Sequence, residues 1–350
     1  MLNSGLLQRY LAGCAGGYVL AFHDITAGKF ESLVDGLRPA EAIPLSELVL
    51  RSKQGKSTSR LFAITVDDGV GDTVRDLVKK CTVRGWPVTF YLPVQYLEFR
   101  NGMIFQWWRN IEPFLPRAIL NLPSGRLDLT RPGSVHRLAK EMEALWHGER
   151  MECYAMRTME LASYVADQEG VTLDDIKPPA PISWSEVAEI SKNDLIRFES
   201  HGVTHAAMSA LTLQELNHEM AFSRDLIARY TGRPCCHLAY PFGSPRGIGP
   251  YAAETARKYY DSAATLTLGT IDSCNFWLLP RIPLYPRNSR LFARLKVLLK
   301  CTKTIPFLSR RDTGSPPRQV WRNIAAEKPQ STQSTFPFTT TPGTGAGYGL

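Results

Sequence analysis

Six short apolar runs, each followed by turn or helix signals, constrain the fold of this chain more than any other feature. They are YVLAF (18–22), LFAITV (61–66), VTFYL (88–92), IRFES (196–200), CHLAY (236–240) and DSAATL (261–266), with WLL (277–279) a weaker seventh. Apolar runs of this length bounded by turn residues predict buried strands. Between them lie predicted helices with recognisable ends. Asp72 is expected to cap a helix through TVRDLVKKCTVR that stops at Gly85. SWSE (183–186) and TLQE (212–215) each place Glu three residues after a hydroxyl residue, the capping-box pattern. The second box opens a helix through LNHEMAFSRDLIARY to Gly232. Strands alternating with helices imply an α/β fold built on a parallel sheet or barrel. Such folds gather the strand C-termini on one face, and chemistry is built there.

Residues 100–180 interrupt the alternation with a mostly helical insertion containing WWRNIEPFL and SVHRLAKEMEALW. After Arg287 the character changes. RLFARLKVLLK (290–300) reads as a basic amphipathic helix within a basic segment 287–312, and 313–350 is rich in Ser, Thr, Pro and Gly, hence expected to be disordered. The expected organisation is a domain over 1–286 carrying the insertion, then the basic segment, then the tail. With 350 residues, 44% of them hydrophobic, the chain is long enough to bury a sizeable core.

The net charge of +8 is unevenly placed: residues 287–350 hold 11 Lys/Arg against 2 Asp/Glu, while the rest holds 30 against 31. A nucleic-acid-binding domain would carry a basic face on the fold itself, so nucleic acid is not an expected partner. The seven cysteines (14, 81, 153, 235, 236, 274 and 301) include no C-x-x-C pair and fit reduced thiols. LAGC (11–14) matches a lipoprotein cleavage box in letters, but NSGLLQRY before it lacks the apolar stretch of roughly 7–15 residues that a secretion signal needs. No run approaches the roughly 18 apolar residues of a membrane span. The expected location is therefore cytoplasmic. The basic helix adds peripheral contact with the inner face of a membrane through 290–303, because Lys/Arg beside an apolar stripe can lie on anionic lipid.

The residue types at the strand ends are the main test. The first strand ends in His23 and Asp24, the second in Asp67 and Asp68. IRFES runs into HGVTH, giving His201 and His205, CHLAY runs into YPFG, and WLL leads to Pro280 and Arg281. Each alone has an ordinary structural explanation: Asp-Gly suits a turn, a single His is commonly a hydrogen-bonded structural residue, and an Arg commonly joins an ion pair. Three imidazoles, several carboxylates and a guanidinium at one rim point instead to a site. H-G-V-T-H lacks the Glu of the helical H-E-x-x-H zinc motif, and Gly202 argues for a loop. Two His and one carboxylate suffice for a catalytic metal. The other carboxylate is then available as a general base.

Together TVDDG, SHGVTH and AYPFG, in that order, resemble the polysaccharide deacetylase family, the NodB-like carbohydrate esterases. VTFYLP, ISWSEVAEI and LPRIPL support the resemblance, which covers about residues 16–286 apart from the insertion. It implies a distorted or incomplete (β/α) barrel. By position it implies Asp67 as catalytic base, and Asp68, His201 and His205 as ligands of a divalent metal, commonly zinc. The backbone near Tyr240 is implied as an oxyanion-stabilising element. Two departures matter. Most members supply the general acid as a His in a Leu-x-His motif near the domain's end, and this chain has no His after His237. Some members begin instead with a strand ending in Phe-His or Tyr-His, and LAFHD fits that permuted variant, which makes His23 the candidate acid. The usual arginine before the third motif is also missing, and Arg281 is the candidate replacement that orients Asp67.

The implied activity is metal-dependent removal of N-acetyl groups from a sugar in a glycan or glycan precursor, as in surface polysaccharide or lipopolysaccharide biosynthesis. That is a hydrolase acting on carbon–nitrogen bonds other than peptide bonds. An O-acetyl esterase on the same machinery is the alternative. A non-haem iron oxygenase shares the two-His-one-carboxylate triad, but its usual all-β scaffold disagrees with the alternation. A non-catalytic glycan-binding relative would be expected to lack the base or a ligand.

Overall fold

A computed structural model describes residues 16–99, 104–146, 151–272 and 274–301. The chain divides into two units, Met1–Thr313 and Gly314–Leu350, and the second lies outside the described residues, as do the LAGC box and 302–313.

Among the described residues ten strands form: β1 (Tyr18–Phe22), β2 (Glu41–Ala42), β3 (Leu61–Val66), β4 (Val88–Leu92), β5 (Ile119–Leu122), β6 (Gly125–Asp128), β7 (Ile196–Ser200), β8 (His237–Ala239), β9 (Ser262–Ala264) and β10 (Ile282–Pro283). Eight make one parallel sheet in the order β10-β1-β3-β4-β7-β8-β9, with β2 flanking β3. Leu279 forms a parallel bridge with Ala264 of β9, and three residues later Ile282 pairs with Leu20 of β1. One short stretch therefore touches both edges and draws the sheet into a distorted (β/α) barrel.

The strands read as continuous apolar runs because both their faces are covered. Alternate residues point outward: Leu20, Phe22, Ile64, Val66, Phe90 and Phe198 pack beneath the surrounding helices in the main core. Truncating one of the buried phenylalanines to Ala is worth about 3–5 kcal/mol. The intervening residues face the barrel axis, and here the composition changes to Thr65, Thr89, Tyr91, Arg197, Glu199 and His237. The barrel thus has an apolar outside and a mixed inside, where these polar groups sit among Val19, Ala63, Ala239 and Ala264.

Both capping boxes form, with Ser183 N–H donating to Glu186 Oε2 (3.0 Å) and Thr212 N–H to Glu215 Oε2 (2.7 Å). Gly85 and Gly232 end their helices in the left-handed region, at φ 62° and 66°. Asp72 does not cap its helix. Val70 is held in an antiparallel bridge to Pro181 and Gly71 N–H bonds Ala180 O (3.0 Å), so the helix Gly71–Arg84 starts earlier. Asp72 then sits in the first turn, where a carboxylate suits the helix dipole, and pairs with Arg75 (2.7 Å). WLL is not a strand either. Asn275 Oδ1 accepts from Trp277 N–H (3.0 Å) and starts a 3-10 turn, Phe276–Leu278, leaving Leu279 alone to bridge β9.

The insertion holds helices Ile104–Ile111, Ser134–Trp146 and Met151–Glu169 and an antiparallel hairpin, β5–β6, that the apolar pattern did not predict. It has its own small core, with Trp108, Ile111, Leu120, Leu138 and Leu161 buried together. The helix Arg290–Cys301 lies on the barrel through Ala293, Val297 and Leu298. Arg290 Nε donates to Ser32 Oγ (2.8 Å) and Lys296 Nζ to Pro283 O (2.6 Å). Its other apolar residues, Leu291, Phe292, Leu295 and Leu299, are each 42–51% exposed. Among the described residues no helix is long and apolar enough to cross a membrane.

Candidate active and metal site

The strand C-termini bring the expected side chains to one rim. Asp67 continues the inward face of β3, next to His23 at the end of β1; Phe22 and Val66 are paired in register, and Asp67 N–H bonds Phe22 O (2.9 Å). His201 follows β7 inward, its N–H bonding Leu92 O of β4 (2.9 Å). Asp68, His201 and His205 are all buried, and their ligand atoms lie within 4.8 Å of one another. Asp68 Oδ1 is 3.7 Å from His201 Nε2 and 3.6 Å from His205 Nε2. These separations are within ion-pair reach, so the three groups converge on a common point.

The donor chemistry fits a cation. His201 Nδ1 lies 2.7 Å from Ala239 O, which fixes that nitrogen as the N–H donor and leaves the Nε2 lone pair facing Asp68. Burial lowers the His201 pKa to about 4, so the imidazole is neutral near pH 7, as a ligand must be. Burial alone would raise the pKa of Asp68, but the His205, His23 and His201 imidazoles outweigh it and hold the carboxylate well below its usual range. A buried anionic oxygen and a neutral imidazole nitrogen facing one point are what a divalent metal requires.

Asp67 has a different environment. Arg281 Nη1 donates to Oδ1 (2.7 Å) and Nη2 to Oδ2 (2.8 Å), a bidentate pair with side chains 0% and 1% exposed. Arg281 is held in turn by Thr65 Oγ1 (3.1 Å) and Thr265 O (3.0 Å), and lies over the Tyr91 ring (5.5 Å). Burial would raise the Asp67 pKa, and the Arg281 charge with His201 and His23 reverses this to a net lowering. His23 Nε2 stands 3.6 Å from Asp67 Oδ2, its side chain 26% exposed, while its Nδ1 is buried with no hydrogen-bond partner.

Near the implied oxyanion position, the Tyr240 backbone is engaged in the sheet. Its N–H is used by Ala264 O (3.0 Å), extending β8 against β9, and its side chain turns into the outer core with the hydroxyl donating to Trp277 O (2.9 Å). The residue of this loop that meets the site is Phe242, at φ 63°, its ring edge-on to His205 at 5.0 Å. Parity explains the exchange: Tyr240 falls on the outward face of β8, and only beyond Pro241 does the chain turn back over the rim.

One functional candidate escaped the motif reading. Glu219, 3% exposed on the helix Leu213–Thr231, braces the loop between the two histidines. Its Oε2 accepts from Val203 N–H (2.6 Å) and its Oε1 from Thr204 Oγ1 (2.6 Å). Gly202, at φ 80°, lies against the same carboxylate, where a Cβ would come within 2.8 Å of Oε2. The available signal was a carboxylate on the apolar stripe of Leu216, Met220, Ser223 and Ile227.

A family model described as polysaccharide deacetylase matches residues 155–261, a span that includes His201 and His205 but not His23 or the Asp67–Asp68 pair. The chain superposes on Streptococcus pyogenes deacetylase PplD in complex with acetate, with TM-score 0.52 and 11% identity over 81% of this chain and 97% of that one. It also superposes on a de-N-acetylase from Aggregatibacter actinomycetemcomitans, with TM-score 0.50 and 13% identity over 80% and 99% of the two chains. At these identities the likeness is one of fold, the distorted (β/α) barrel. No curated protein matches the sequence.

Proposed function

We propose that this chain, of the polysaccharide deacetylase family, is a metal-dependent hydrolase that removes N-acetyl groups from a sugar in a glycan or glycan precursor. The observation that carries the reading is the division of labour between two consecutive carboxylates. Asp68 converges with His201 and His205, while Asp67 is turned away onto Arg281 and lies beside His23. Asp68, His201 and His205 would hold the metal, and zinc suits a site of two imidazoles and a carboxylate. A divalent ion bound there supplies Lewis-acid polarisation of the acetyl carbonyl and acidifies water.

The chain's own residues do the rest. Asp67, kept ionised and oriented by Arg281, takes the proton from water as its oxygen attacks the acetyl carbon. His23, in its protonated form, gives a proton to the departing nitrogen as the C–N bond breaks, since an amide nitrogen leaves poorly as an anion. The products are acetate and a free amine. Phe242, packed on His205, walls the site on the side of the third motif. An acetate-release assay on nucleotide-linked, lipid-linked and polymeric N-acetyl sugars, with metal and with chelator, tests the reading. Release from at least one N-acetyl sugar, abolished by chelator and by His205→Ala, is expected. Release from O-acetyl esters alone would replace it with the esterase alternative.

We further propose that the enzyme works in the cytoplasm at a membrane face and meets a lipid-linked sugar there. The exposed Leu291, Phe292, Leu295 and Leu299 of the last described helix are the apolar contact. Residues 287–350, with 11 Lys/Arg against 2 Asp/Glu, supply attraction to anionic lipid.

A further inference from the structure

The barrel has a second polar end. Opposite the rim of Asp67, at the strand N-termini, lies a cavity of about 380 Å³. Its wall includes Thr89, Arg197, Glu199, Arg233 and His237. Along β7 the inward positions run Arg197, Glu199, His201, so the cavity and the candidate metal site are separated by roughly 13 Å of strand at about 3.3 Å per residue.

Three nitrogens at this cavity are buried and have no hydrogen-bond partner: Arg197 Nη1, Arg233 Nη1 and His237 Nε2. His237 is 3% exposed, and its other nitrogen, Nδ1, is 2.9 Å from Ser262 Oγ. Where the Ser262 hydroxyl donates to Nδ1, Nε2 carries the ring hydrogen and can donate to a bound anion. The two carboxylates nearby do not satisfy these groups. Asp194, at 91% side-chain exposure, takes Arg233 Nη2 (2.9 Å) and leaves Nη1. Glu199 Oε2 accepts from the N–H groups of Cys236 and His237 (2.7 Å each).

A buried donor without an acceptor costs about 1–3 kcal/mol, and more when charged. Folded proteins keep few of them, so two guanidinium nitrogens at one cavity ask for an acceptor, joined by His237 Nε2 in its donating tautomer. Two guanidinium Nη1 groups and a neighbouring imidazole suit a compact anion with several oxygens, because charged N–H donors bind such groups strongly. We propose that this cavity binds a phosphate-class oxyanion between Arg197, Arg233 and His237, either free or as the phosphoryl group of a small phosphorylated compound. The volume falls within the range of small-molecule pockets, so a phosphoryl group with a modest attachment fits. The site is separate from the deacetylase rim and does not depend on the activity proposed for it.

Isothermal titration calorimetry of the full chain at fixed ionic strength tests this, with inorganic phosphate and glucose 6-phosphate as probes. Saturable binding of at least one probe is expected, weakened at least tenfold in Arg197→Gln and in Arg233→Gln and retained in His205→Ala. The tighter probe identifies the source of the anion. If Arg197→Gln fails to fold by circular dichroism, Arg233→Gln decides. Absence of saturable binding, binding indifferent to both arginine variants, or binding lost in His205→Ala would each overturn the proposal, the last by placing the anion at the metal site.

Discussion

Replacing Arg281 isolates the energetic core of the candidate site. The guanidinium makes two charge-assisted bonds to Asp67 at 2.7 and 2.8 Å, and neither side chain is more than 1% exposed. Arg281→Met keeps most of the volume, so cavity formation contributes little. What it leaves is a buried, unpaired Asp67 carboxylate. Breaking a buried pair from one side costs about 3–5 kcal/mol. At about 2–4 °C per kcal/mol for a domain of this size, the melting temperature should fall by roughly 6–20 °C. Asp67→Asn should also be costly, because it strands the guanidinium instead. The double variant Arg281→Met/Asp67→Asn strands neither charge, so its deficit should be smaller than the sum of the singles by about 2–3 kcal/mol. Urea denaturation of chelator-treated protein measures the cycle free of metal linkage. Deficits that add to within about 0.5 kcal/mol would refute the argument, showing that Asp67 and Arg281 are stabilised by their surroundings and not by each other. In the deacetylase assay Arg281→Met should keep its metal and lose about 100-fold in turnover, through misorientation of the base.

Three further outcomes follow from the site and the surface. Glu219→Gln should weaken metal affinity 10- to 100-fold in a chelator competition, with turnover recovering at saturating metal, because the brace on the His201–His205 loop is halved while the ligands remain. Unchanged affinity would make Glu219 a residue of the fold alone. His23→Ala should keep the metal and lose 10²- to 10⁴-fold in amidase turnover. Near-full activity with metal bound would rule out His23 as the acid. Leu291→Gln/Leu295→Gln, on an exposed face, should leave the melting temperature unchanged and reduce sedimentation with anionic vesicles at least tenfold, each Leu being worth about 1.5–3 kcal/mol when buried. Wild-type binding that is absent, or insensitive to salt, would remove the membrane from the proposal.

The residues that face one another across the rim were legible because strand ends are legible. A parallel barrel sends every strand C-terminus to the same face, so His23, Asp67, Asp68 and His201 needed only their strands to be found. His205 came with the short loop after His201. Arg281 was harder, since the stretch before it is a 3-10 turn and not a strand, and its approach to Asp67 depends on the closure of the barrel through Leu279 and Ile282. The AYPFG motif does not report that the Tyr240 N–H is committed to the sheet. A backbone bond to Ala264 carries it outward. The β5–β6 hairpin was missed because its strands are short and largely exposed, so alternation leaves little apolar trace.

What the apolar pattern could not convey is how the ligands are aimed. Asp68, His205 and Phe242 all have positive φ, at 78°, 58° and 63°, and each adjoins or nears a glycine that is also left-handed, Gly69, Gly202 and Gly243. Non-glycine residues in this region cost on the order of 1–3 kcal/mol each unless the surroundings enforce them. Here the enforcement is visible. Glu219 holds the His201–His205 loop, Ile182 N–H bonds Gly69 O (2.9 Å), and Gly243 O accepts from Leu266 N–H (2.7 Å). The turn after Asp67 has a mechanical consequence. Asp67 keeps the inward direction of β3 and meets Arg281, whereas the left-handed step at Asp68 redirects the next side chain from its strand alternation toward the histidines. Two adjacent carboxylates that would repel on a regular strand are thereby turned to separate partners, a guanidinium for one and the convergence point with two imidazoles for the other.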